Sequence, residues 1–213
     1  MKVPQFLLTG TLAAFALITA CADQPSELQP DSGSDSEMLA HTPHEPLTGA
    51  LLPPAPAYSQ LDGASAHSSG GSIHLGVDVE GDIPRHANPF ILSVAVFGYA
   101  WADLESGQGI VAVIHPTIGR DSKQNPDGWH THPVQLTEGT VPNGGTSDFC
   151  VVRIGRSQGG IAIHTDQMQT NISVHWAGLD VDALDVAASF VVQIDQGCSG
   201  TGLGVDVLDT ESL

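Results

Sequence analysis

The sequence predicts an all-β protein, a β-sandwich or compact barrel of about eight or nine short strands that follows a disordered tether. Three observations predict it. Short apolar runs rich in Val, Ile and Ala recur from residue 72 onward. Turn-forming clusters such as Pro126-Asp127-Gly128, Pro142-Asn143-Gly144-Gly145 and Gln158-Gly159-Gly160 separate them. No long stretch keeps a helical period.

The elements follow in order. Ile73, Leu75, Val77 and Val79 alternate with Ser72, His74, Gly76, Asp78 and Glu80, which is the period of a half-buried strand. Residues 90–101 and 109–115 are apolar on both faces, as central strands are. Residues 129–136, 148–154, 160–167, 171–176, 188–195 and 202–208 complete the set. Residues 182–188 have room for one or two helical turns. One domain over residues 71–213 is long enough to bury a sizeable core, and no internal repeat is present.

The chain ahead of this domain reads differently. Lys2 precedes an uncharged apolar run over residues 6–18. A membrane span needs about 20 apolar residues, so this shorter run reads as the core of a signal peptide over residues 1–20. It ends in Leu17-Ile18-Thr19-Ala20-Cys21, which resembles the lipobox of bacterial lipoproteins. The resemblance covers only the N-terminal segment and leaves the globular domain without a family. It implies that Cys21 is lipidated and becomes the first residue of the mature protein. Each buried acyl CH₂ contributes roughly 0.8 kcal/mol, and the two or three chains of such lipoproteins anchor durably. Ala22 carries no acidic retention signal, so the expected location is the cell envelope, outside the cytoplasm and on the outer membrane. Residues 21–70 hold Pro25, Pro30, Pro43, Pro46, Pro53, Pro54 and Pro56 among Ser, Gly, Asp and Glu, the composition of a disordered tether. About 50 such residues reach roughly 40 Å.

Charge narrows the partners. With 24 acidic and 6 basic residues the net charge is −18, which excludes nucleic acid and bare anionic membrane surfaces as partners. A protein or glycan of the envelope remains. Of the three cysteines, Cys21 is assigned to lipid, leaving Cys150 and Cys198 as a disulfide in an oxidising compartment. Strand parity with Val152 and Ile154, and with Val192 and Ile194, points both sulfurs at the core. Closing a loop of about 50 residues stabilises the fold by about 4 kcal/mol.

The segment from His115 to Pro133 carries the chemistry. His130 and His132 stand at i and i+2 of a strand and project to one face, close enough to share a metal ion. His115 shares a face with Val111 and Val113, so neighbouring strands would unite His115, His130 and His132. Three imidazole nitrogens suit zinc or copper, with a fourth position open to water or a ligand. His164 and His175 form a weaker second candidate, meeting across a hairpin. His130-Thr131-His132 is similar to the His-x-His of copper-zinc superoxide dismutases, but that family's other ligand and glycine motifs have no counterpart here. Asp121, Asn125, Asp127 and Gly128 are spaced like a calcium loop, yet Lys123 stands where an oxygen ligand belongs and no bidentate Glu follows. Asp180, Asp182 and Asp185 read as a solvated cluster. Neither a Gly-x-Ser-x-Gly elbow nor a His-Glu-x-x-His helix occurs, so no catalytic residue is assigned. The expected function is a tethered binding or structural module, with an envelope metalloenzyme using the His115/His130/His132 centre as the alternative.

Overall fold

The computed structural model describes residues 54–115, 128–138, 147–158 and 160–213. The signal segment, Cys21, the prolines up to Pro53 and the acidic loop at 121–127 lie outside the described residues. Among the described residues there are ten strands: β1 (Leu61–Ser69), β2 (Ser72–Val79), β3 (Val96–Asp103), β4 (Gln108–Ile114), β5 (His130–Glu138), β6 (Phe149–Ile154), β7 (Gly160–His164), β8 (Gln167–Ser173), β9 (Val186–Ile194) and β10 (Leu203–Ser212). Two short helices, α1 (Pro89–Ser93) and α2 (Val174–Ala177), interrupt them. The fold is all-β, as the strand pattern predicts. Six strands close a barrel in the order β10-β6-β5-β4-β3-β9, and the other four form a sheet in the order β1-β2-β8-β7.

Alternation explains how the two sheets meet. On β3, Phe97, Tyr99 and Trp101 point out of the barrel, and on β4 so do Ile110, Ala112 and Ile114. They pack against Ile73, Leu75 and Val77 of β2 and Met168 and Ile172 of β8, forming the main core. Phe97, Tyr99 and Trp101 are fully buried, and each such side chain contributes roughly 2–3 kcal/mol. Their polar ends are satisfied: Tyr99 Oη donates to the Tyr58 carbonyl at 2.6 Å and Trp101 Nε1 to the Gly76 carbonyl at 3.2 Å. The opposite set, Val96, Ala100, Val111, Val113, Phe190, Val192 and Val205, lines the barrel lumen. Space there is tight. A Cβ on Gly98 would lie 2.8 Å from Val113 Cγ1 and 2.9 Å from Phe190 Cζ, so glycine is what fits at that close approach.

Several boundaries depart from the sequence pattern, each for a local reason. Residues 90–93 are helical rather than strand, because Asn88 Oδ1 accepts the Ile91 amide at 3.0 Å and Pro89 opens the turn. The run at 160–167 breaks at Thr165, where φ is 57°, into the β7–β8 hairpin. The strand expected to reach Trp176 ends at Ser173, and α2 follows, capped by left-handed Gly178. Residues 181–183 form one 3-10 turn before β9. The tether expected to run to residue 70 is too long, since Leu61–Ser69 is a strand paired with β2 along its length.

The Cys150–Cys198 disulfide is present, with Cα atoms 5.3 Å apart, but the parity argument for it fails at both ends. Val152 has no partner across β5, a bulge that flips the alternation. Val151 therefore faces the lumen with Phe149, while Cys150 pairs with Gly204 on the other side. Cys198 sits in the β9–β10 turn, beyond the strand, and Ile194 is 81 % exposed. The bridge fastens that turn to β6, beside the shortest ladder of the barrel, where only Gly204↔Cys150 and Val205↔Phe149 pair β10 with β6.

Candidate metal centre

The β4–β5 register builds the site. Val111 lies opposite His132 and Val113 opposite His130, so both histidines face the lumen with those valines. His115 follows β4 directly, two residues beyond Val113, and extends the same face. The three rings close one end of the barrel and are buried at 8 %, 3 % and 5 % exposure. One nitrogen from each lies within 4.8 Å of the others, the only such group of three among the described residues. No carboxylate or thiolate among those residues joins them.

The hydrogen bonds fix which nitrogens face inward. His130 Nδ1 donates to the Gly128 carbonyl at 3.0 Å, and His132 Nδ1 donates to the Gly155 carbonyl at 2.8 Å. A ring nitrogen given to a backbone carbonyl sets the tautomer, so each Nε2 keeps its lone pair. His130 Nε2 stands 2.8 Å from His115 Nε2, and with the His130 nitrogen an acceptor, His115 donates. The rings of His115 and His130 meet at 78° and those of His130 and His132 at 77°, while those of His115 and His132 lie at 26° with centroids 6.4 Å apart. A metal about 2.0–2.1 Å from each nitrogen sets them roughly 3.4 Å apart. That spacing falls between the 2.8 Å His115–His130 contact and the 4.8 Å within which one nitrogen of each ring lies. This buried group can hold a metal ion.

Neighbouring segments hold the rings in place. Trp129 stacks on Tyr99 at 5.5 Å and donates Nε1 to the Pro84 carbonyl at 2.7 Å, which locks the start of β5. Beyond β6, residues 155–158 run beside β5. The Gly155 amide donates to the Pro133 carbonyl at 2.8 Å, the Gln158 amide donates to the Thr131 carbonyl at 3.2 Å, and Thr131 Oγ1 donates to the Gln158 carbonyl. A Cβ on Gly155 would collide with the Pro133 ring, so this close approach depends on glycine. The Gly128 and Gly155 carbonyls were not legible in the sequence, because main-chain acceptors leave no residue signature. Gly155 itself is the one visible trace.

The second candidate does not assemble. His164 sits at the turn of the β7–β8 hairpin opposite Gln167, whereas His175 lies in α2 past the far end of β8. Both are exposed. His74 instead meets His67, its partner across β1 and β2, with rings stacked 5.0 Å apart. Asp180 and Asp185 are exposed and serve backbone amides, those of Asp182 and Leu104. Among the described residues no helix is long and apolar enough to cross a membrane. Comparison with protein families, curated proteins and solved structures finds no match to this chain.

Proposed function

We propose that this protein is a lipid-anchored metal-binding module of the cell envelope, held by Cys21 and binding one zinc or copper ion through Nε2 of His115, His130 and His132. One observation carries the reading: His130 and His132 each commit Nδ1 to a backbone carbonyl, so both carry an unprotonated Nε2, and one nitrogen of each ring lies within 4.8 Å of one on His115. Neutral nitrogens in a set of three suit borderline metals rather than calcium or magnesium, which take oxygen ligands. Binding at His115 Nε2 would need that ring's proton on Nδ1 instead, so that three neutral Nε2 atoms face the ion. The envelope location rests on the Leu17–Cys21 lipobox resemblance and agrees with a disulfide in the folded domain.

The test is elemental analysis of the full chain, purified without added chelator, beside His130→Ala/His132→Ala. Near one equivalent of zinc or copper, lost in the variant, supports the reading. No metal in either protein after loading and desalting defeats it. A second reading, an envelope metalloenzyme, is favoured by the ligand count, since three protein ligands leave a position for water as catalytic zinc sites do. Turnover by the loaded protein that disappears in the variant would decide for it.

A further inference from the structure

The barrel lumen is not filled along its whole length. The histidines close one end together with Val111 and Val113, which lie opposite His132 and His130, and with the Val96–Val192 pair. Toward the other end, at the β3–β4 turn, lies a cavity of about 170 Å³. The strand register explains the space. Ala100 on β3 is paired with Ala188 on β9, and Ala102 lies next along β3, so three methyl groups stand where larger side chains would meet. Phe149, Phe190 and Val205 supply the facing walls. The one carboxylate in the lining, Asp103, is committed to its own turn, accepting from the Glu105 amide at 2.9 Å and from Ser106 Oγ at 2.5 Å. Among the described lining residues, no other charged group faces the space.

We infer that this cavity is a binding site for a small uncharged apolar molecule, about the size of one six-membered ring. An apolar cavity of about 150 Å³ in another protein stays dry and takes up benzene, because water there would find no hydrogen-bonding partners. This cavity is of similar size and its lining is mostly apolar, but it opens to solvent at the barrel end beside the exposed Leu104 and Thr210, which is the ligand's way in. It lies at the opposite end of the barrel from the histidines, so the inference does not rest on the metal reading.

Benzene is the probe. The full chain is titrated calorimetrically and melted at rising benzene concentration, with Ala188→Leu as the filled variant. The expected result is saturable one-site binding, a Tm that climbs with benzene, and at least tenfold weaker binding in a variant that melts no lower than the wild type. Contacts between benzene protons and the Ala100 and Ala188 methyls, seen as intermolecular NOEs in the wild type, locate the ligand even if the variant folds poorly. Absence of saturable binding, NOEs to other residues only, or undiminished binding in a folded Ala188→Leu protein would overturn the inference.

Discussion

Glycine 155 shows how much one residue without a side chain can control. Its carbonyl orients His132, and only the missing Cβ lets it lie against Pro133. Gly155→Ala should therefore weaken zinc binding about 10- to 100-fold, as loss of a group that orients a ligand does, while the protein still folds. Competition with a colorimetric chelator measures it. Asp206 is a second single-residue case. Burial, and next the neighbouring Asp148 carboxylate, hold its carboxyl above the ordinary range. An acid raised in the folded state stabilises the fold below its unfolded pKa, and that contribution is lost as pH rises through the folded value. Asp206→Asn should thus gain stability relative to wild type as pH climbs from about 4 toward 7, with little difference at the acid end. Urea denaturation at several pH values reads the divergence, and parallel curves would reject it.

Among the elements, β6 and β10 form the weak seam of the barrel, with two residue pairs between them. The disulfide beside that seam and the Val207 amide, which donates to Asp148 Oδ2 at 2.9 Å, hold it shut. Cys150→Ala/Cys198→Ala should cost about 4 kcal/mol in denaturant melts. It should also strip hydrogen-exchange protection first from the Asp148 amide, which bonds the Val205 carbonyl across the seam. The pairing of these cysteines was legible in the sequence by elimination, but its geometry was not. A single bulge at Val152 reverses strand parity, and nothing in Val151-Val152-Arg153 marks it. His130 and His132 were legible for the converse reason: two positions apart on an unbroken stretch of strand, they share a face whatever the partner strand is. β1 was hidden because Leu61-Asp-Gly-Ala-Ser-Ala-His-Ser-Ser carries almost no apolar period. It is an edge strand held by main-chain pairing to β2.

At the scale of the molecule, the barrel is a frame whose outer face supports the core and whose lumen holds the three-histidine group. The strand pattern predicted the fold class, because alternation and turn residues act locally. Barrel closure was not legible, since it depends on β9 and β3 pairing across most of the domain. The four-stranded sheet covers the aromatic face of β3, so removing its edge should disturb the whole. A chain beginning at residue 71 should lose several kcal/mol relative to one beginning at residue 54, because Leu61 and the β1–β2 ladder go with it. Thermal melts of the two chains compare them. The central claim, a three-histidine metal centre at one end of the barrel, is tested most directly by X-ray absorption on the zinc- or copper-loaded full chain. The account predicts three imidazole nitrogens at about 2.0–2.1 Å with one further light atom. A shell of oxygens with one imidazole or none would contradict it.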